Sequence, residues 1–226
     1  PADRAGERGQ DRRPGDARRV EGVPAHAERP GSRGTESTCS GSCRIAVIGQ
    51  IKAGKVPTLN GSRYFLFEPP HHVAPPRIED TVFSLLTAGF VPVITHPERL
   101  TWIEEHYPAF KRMVNSGAWI QLTAGSVTGR FGSRPKYWAE RILDEGQCHI
   151  IATDSHHIDR RPPLLAEARD AAAKRLGEQE ALHLVVTRPQ GILDNASPGS
   201  LPPLPSPVRT VADKKGFWRN LIARKN

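Results

Sequence analysis

From about Ile45 to position 195, short apolar runs alternate with longer amphipathic stretches, and this rhythm restricts the chain to a small set of architectures. Arg63-Tyr-Phe-Leu-Phe-Glu68 reads as a buried strand. Pro76 to Ala88 reads as a helix, with Ile78, Val82, Leu85 and Leu86 at helical spacing and Gly89 closing it. Val91-Pro-Val-Ile-Thr95 is a second strand, followed by a helical stretch ending near Gly117. Ala118 to Thr123 is a third strand, and Arg134 to Glu145 a helix closed by Gly146. Cys148 to Thr153 is a fourth strand with Pro163 to Leu176 as its helix, and Leu184-Val-Val186 is expected as a fifth. Strands and helices alternating at this spacing predict an α/β fold: a parallel sheet or barrel with helical crossovers.

The flanks have a different texture. Residues 1–40 contain no Leu, Ile, Met, Phe, Tyr or Trp, and beyond Ala and Pro only Val20, Val23 and Cys39 offer apolar bulk. Such a segment cannot offset its ordering entropy, so it is expected to be disordered. The folded body is expected over 41–195 and a linker over 196–212, with five prolines between 196 and 208. A basic amphipathic tail follows over 213–226, with Phe217, Trp218, Leu221 and Ile222. No run approaches the ~18 apolar residues of a membrane span. The first forty residues also lack the apolar core of a signal peptide. Three cysteines, Cys39, Cys43 and Cys148, are poor material for a disulfide scaffold and fit a reducing, cytoplasmic setting.

The formal charge of +8 suggests nucleic acid until it is located. Residues 1–40 carry eight Arg against seven acids, a net of +1; residues 209–226 carry six basic residues against Asp213, a net of +5. That leaves +2 for residues 41–208, so the charge argues against nucleic acid as a partner. The tail, read first as a solvated end, offers Phe217 and Trp218 among basic neighbours to a membrane surface or a partner.

Each strand leads into reactive side chains. The first ends in Glu68, the second runs into His96-Pro-Glu-Arg99, and the fourth into Asp154-Ser-His156-His157. In parallel α/β folds the carboxyl ends of the strands share one face, so Glu68, His96, Asp154 and His156 are expected to converge. Mixed oxygen and imidazole donors suit Mn²⁺, Fe²⁺ or Zn²⁺ better than Ca²⁺. Arg99, with Arg161 or its neighbour Arg160, supplies guanidinium forks for phosphate oxygens. His71 and His72 are read as structural, because Pro69 and Pro70 are expected to steer the chain outward. His157 is expected at the surface or behind His156, and Cys39-x-x-x-Cys43 is discounted as a zinc site.

Leu59-Asn-Gly-Ser62, Tyr64-Phe-Leu-Phe-Glu68, Thr95-His-Pro-Glu-Arg99, Gln121-Leu-Thr-Ala-Gly-Ser126 and Thr153-Asp-Ser-His156 occur in that order. Together, over roughly residues 54–195, they resemble the PHP-type (polymerase and histidinol phosphatase) protein-tyrosine phosphatases of bacterial capsule and exopolysaccharide operons. The resemblance implies a distorted (β/α)₇ barrel and a metal site preferring manganese, with Fe²⁺, Co²⁺ or Zn²⁺ as substitutes. It implies a reaction too: hydrolysis of phosphotyrosine on a tyrosine autokinase that governs polysaccharide synthesis. Carried over by motif, Glu68, His96, Asp154 and His156 resemble the family's metal ligands, and Arg99 and Arg161 its phosphate-contacting arginines. No cysteine nucleophile is needed, and Cys148 lacks a Cys-x₅-Arg loop because the sixth residue beyond it is Asp154.

The family opens with a strand carrying His-x-His, then an Asp, and later a Thr-Pro-His-His segment, and none of these motifs is present here. The chain begins at Pro1 and its sole methionine is Met113. The expectation is therefore a barrel incomplete at its N-terminal side, with residues 1–40 truncated or read out of frame and activity impaired. Two other readings stand beside this one. One is a PHP-type phosphoesterase acting on a small phosphomonoester; the other is a non-catalytic remnant that docks on a kinase or membrane.

Overall fold

The computed structural model of the protein describes residues 41–157 and 163–208. Four strands, β1 (Tyr64–Phe67), β2 (Val91–Thr95), β3 (Trp119–Thr123) and β4 (Ile150–Ala152), form one sheet in the order β1-β2-β3-β4. Every pairing is parallel. Helices α1 (Gly41–Lys52), α2 (Ile78–Thr87), α3 (Ile103–Asn115), α4 (Ala124–Val127), α5 (Ser133–Asp144) and α6 (Ala166–Leu176) precede, connect or follow the strands. The chain then runs through α7 (Glu178–Leu182), a π-helical turn (His183–Thr187) and α8 (Arg188–Leu193). The α/β architecture expected from the sequence is the one found.

Strand side chains alternate between the two faces of the sheet, and each face has its own core. Ile94, Ile120, Leu122 and Ile151 face the crossover helices, packing with Val82 of α2, Phe110 and Met113 of α3 and Trp138 and Ile142 of α5. Tyr64, Val91, Val93, Trp119 and Ile150 form the opposite face and pack with Ile192 of α8. Tyr64 and Trp119 meet edge to face at 5.0 Å between ring centroids.

The C-terminal segment joins the two edge strands at their amino ends. Arg188 donates from Nη1 to the carbonyl of His149, just before β4, at 3.3 Å. Seven residues on, the Asn195 Oδ1 accepts from the Arg63 backbone N–H at 2.9 Å, and Tyr64 donates its hydroxyl to the Ala196 carbonyl at 3.0 Å. Burial pushes the Tyr64 phenol up to about 12, so it remains a donor across the ordinary pH range.

Two expectations are corrected here. Leu184-Val-Val186 is a π-helical turn between α7 and α8, not a fifth strand. A three-residue aliphatic run has no period of its own. Leu184 is buried against the helical core, whereas Val186 is 51% exposed. Residues 198–208, expected within a linker, are strapped onto the body. Arg188 donates to the carbonyls of Pro202 and Pro203 at 3.1 and 2.8 Å, and Val208 N–H donates to Asp144 at 2.7 Å. Gly146, at φ +63°, lets the strap pass, since a Cβ there would collide with the Pro205 carbonyl. The expected disordered segment 1–40 and basic tail 213–226 lie outside the described residues.

Arg188 is 1% exposed and also pairs with Glu180 through Nη1 at 2.7 Å and Nη2 at 3.2 Å. Arg188→Met leaves Glu180 buried and removes the donors to three carbonyls. Its expected cost is about 3–5 kcal/mol, read from the urea midpoint. A second prediction concerns pH. His149 stacks on Trp119 and its Nδ1 accepts the Ile120 N–H at 3.1 Å. Burial, with the nearby Arg188 charge behind it, brings its pKa down to about 3. The unfolded chain takes up a proton below about pH 6.5 that the folded chain refuses, so stability present above that value falls on acidification. The share of the loss due to His149 is about 2 kcal/mol between pH 7 and pH 5, and it disappears in His149→Asn, whose carboxamide keeps the acceptor. Equal acid sensitivity in the two proteins would contradict it.

Candidate metal and phosphate site

The face that carries Tyr64, Val93, Trp119 and Ile150 continues toward the carboxyl ends of the strands. By alternation the next residues on it are Leu66 and Glu68, Thr95, Gln121, and Ala152 and Asp154. All six line one cavity of about 380 Å³, whose remaining wall includes Leu59, Pro189, Ile192 and Leu193. His96 lines it too. A larger open groove of about 660 Å³ lies beside α5 and α6, but its charges compensate one another: Arg175 pairs with Glu140 and Asp144. Donors converge at the strand-end cavity instead.

His96 and Asp154 both adopt left-handed backbone conformations, with φ 38° and 50°, as the chain leaves β2 and β4. Non-glycine residues pay a steric penalty there, which concentrates at functional sites. The His96 N–H donates to the Gln121 carbonyl at 2.8 Å, fixing the turn to β3. Glu98 fixes it again: its buried carboxylate accepts the Thr123 N–H at 2.9 Å, and burial pushes its pKa up to about 7. Sequence reasoning gave Glu98 no role; its work is to hold the His-Pro-Glu-Arg turn.

Within this frame, ligand atoms of Glu68, His71 and His96 all lie within 4.8 Å of one another. His96 Nε2 is 3.2 Å from Glu68 Oε1. Two donors bound to one divalent ion at ~2.0–2.2 Å lie roughly 3.0–3.5 Å apart, so the pair has the spacing an ion requires. Burial, reinforced by Arg99, holds both imidazoles below the ordinary histidine range, which keeps their lone pairs available. The donor set fits a divalent transition metal.

His71 is the residue that sequence reasoning set aside. The prolines before it do not steer the chain outward, because the Pro70 carbonyl accepts from Trp102 Nε1 at 2.9 Å. The His71 carbonyl accepts from the Thr101 N–H and hydroxyl, each at 3.0 Å. Its ring lies 5.2 Å from that of His96. The only signal in sequence was a His pair directly after Glu68 and its prolines.

The remaining expected residues are distributed unevenly. Asp154 faces the cavity and accepts from Arg99 Nη1 at 2.8 Å through Oδ2. Arg99 lies 5.2 Å over the Phe131 ring, so its guanidinium is held from two directions. His156 is more peripheral: its side chain is 68% exposed and its Nδ1 lies 2.8 Å from the Asp154 carbonyl oxygen. Arg160 and Arg161 lie outside the described residues. Cys148 is buried, and burial drives its thiol well above the ordinary range, which is unsuited to a nucleophile.

Comparison with known proteins identifies the family of the chain. Residues 38–194 match the family model for capsular polysaccharide synthesis, CpsB/CapC. The tyrosine-protein phosphatase CpsB of Streptococcus pneumoniae is 31% identical over 154 residues, covering 66% of this chain and 63% of that protein. The tyrosine-protein phosphatase YwqE of Bacillus subtilis is 31% identical over 148 residues, covering 66% and 58%. The putative tyrosine-protein phosphatase CapC of Staphylococcus aureus is 34% identical over 121 residues, covering 54% and 48%. This chain thus spans about half to just under two thirds of the length of these curated relatives. Among solved structures, a chain from the crystal structures of YwqE and CpsB, metal-dependent tyrosine phosphatases, superposes with TM-score 0.66 and 28% identity. That match covers 73% of this chain and 65% of the other. The family match takes in the four described strands and the donor cluster of Glu68, His71 and His96, and the chain belongs to the CpsB/CapC family of capsular polysaccharide synthesis.

Proposed function

We propose that this chain is a metal-dependent phosphotyrosine phosphatase, with manganese as the preferred ion and a tyrosine kinase of polysaccharide synthesis as its cytoplasmic substrate. The observation that carries the reading is the convergence of Glu68, His71 and His96 within 4.8 Å, at the carboxyl ends of parallel strands. Support for the substrate class comes from the relatives named as tyrosine-protein phosphatases. No helix among the described residues is long and apolar enough to cross a membrane.

Glu68, His71 and His96 would hold the ion, with Asp154 and His156 as further donors from the end of β4. A bound divalent ion supplies Lewis acidity toward the phosphoryl oxygens and acidifies water for attack on phosphorus. Arg99 presents its fork to the phosphate, kept in orientation by Asp154 and by the face of Phe131. Arg161 is the second proposed phosphate contact. The apolar wall of Leu66, Ile192 and Leu193 keeps water from the organic part of the ester.

The test uses the full 226-residue chain. Loaded with Mn²⁺ and desalted, it should retain metal by elemental analysis and hydrolyse p-nitrophenyl phosphate. Glu68→Ala, His71→Ala and His96→Ala should each weaken metal retention by more than the ~10–100-fold that loss of a ligand-orienting partner costs, and abolish stimulation by manganese. Full turnover in a chelator, or unchanged metal content in all three variants, would overturn the proposal. Arg99→Lys should keep the metal while raising KM for the aryl phosphate about tenfold, since an ammonium cannot reproduce the fork.

A further inference from the structure

Gln121 and Thr95 are the polar residues of the cavity floor that this reading leaves without work. They are register partners on β3 and β2 and point from the same face of the sheet. Gln121 is 4% exposed and Thr95 5%, yet neither the Gln121 Nε2 nor the Thr95 Oγ1 has a hydrogen-bond partner. Their neighbours along the same face, Trp119 and Val93, are apolar and close-packed. An amide and a hydroxyl left unpaired inside a protein are costly, and an aliphatic side chain would fill the space without that cost. The amide's terminal torsion is soft, so its NH₂ turns toward the cavity without moving the strand.

The chemistry of the two groups defines what they would meet. A primary amide offers two N–H donors and a threonine hydroxyl one, both without charge. Glu68 and Asp154 line the same cavity, so a cationic donor at position 121 would be drawn to those carboxylates instead of to a ligand. A neutral donor avoids that competition. Its complement is an oxygen of an anion that Arg99 and the metal already attract.

We infer that Gln121, assisted by Thr95, is a substrate-binding residue that donates to a phosphoryl oxygen of the bound phosphate monoester from the strand floor of the cavity. The inference rests on the phosphatase reading and adds to it the neutral half of phosphate recognition. Arg99, on the turn after β2, is bonded to the cavity-lining Asp154, and Gln121 lies on β3, so the two contacts would be supplied by independent parts of the fold.

The experiment is calorimetric titration of the manganese-loaded full chain with inorganic phosphate and with phenylphosphonate, alongside thermal melts without ligand. Gln121→Met should weaken both ligands about tenfold, as should Thr95→Val to a smaller degree. Because no protein partner is lost, the ligand-free melting temperature should stay level or rise. Gln121→Glu, nearly isosteric, should lose phosphate binding while keeping its manganese content, and it guards against a packing defect in the methionine variant. Wild-type phosphate affinity in both Gln121 variants overturns the assignment of Gln121 alone. A manganese-loaded wild-type chain that binds neither ligand overturns the phosphatase reading and this inference with it. A Gln121→Met protein that melts several degrees lower without ligand shows a packing role and also overturns the assignment.

Discussion

Arg188, fully buried, lies against Glu180 and gives its remaining N–H groups to the carbonyls of His149, Pro202 and Pro203. One guanidinium thereby joins α7, the entry to β4 and the proline-rich strap. Its fork has enough fixed donors to satisfy four acceptors at once, which no ammonium can do. The consequence reaches the other edge of the sheet. With α8 anchored at β4, Asn195 and Ala196 arrive at β1 and fix Arg63 and Tyr64 there. The amino ends of the strands are thus tied and filled, and Ile192 packs against Tyr64, Trp119 and Ile150.

That arrangement explains why the cavity opens where it does. A parallel sheet has chemically distinct ends, and here α8 covers one face and walls the cavity, while the carboxyl end receives the turns after the strands. Alternation along four parallel strands in register then sets Glu68, Thr95, Gln121 and Asp154 on one face at the open end. No single strand carries the site, and shifting any strand by one residue would turn its contribution toward the helices.

Much of this was legible in the residues. Val91–Thr95 was read with the boundaries it has, because a β-branched run before a His-Pro turn and after a helix-closing glycine leaves little choice. The convergence of Glu68, His96 and Asp154 on one cavity followed from parallel topology alone. What escaped was whatever depends on distant partners. His71 is placed by Thr101 and Trp102, some thirty positions away, and nothing local marks that capture. The strap looked like a linker because prolines make no ladder of their own, and its anchors are the side chain of Arg188 and a carbonyl at Asp144. Leu184-Val-Val186 was ambiguous for a different reason, since helices on both sides impose their backbone on three aliphatic residues.

Several of the molecule's buried polar costs gather at the site. Away from the site, buried polar groups such as Arg188, Glu180 and His149 are matched with partners. At the open end, His96 and Asp154 occupy left-handed backbone, Glu98 carries a fully buried carboxyl, and Thr95, His96 and Gln121 each keep an unpaired polar atom. A sequence selected only for stability would remove these costs by simple substitutions, and the surrounding packing would tolerate many of them. Thr95, His96, Gln121 and Asp154 all line one cavity, and that grouping is an argument about ligands. On the proposed reading a bound ligand would offset those costs, while the hydrogen-bonded far end of the sheet stabilises the chain without it.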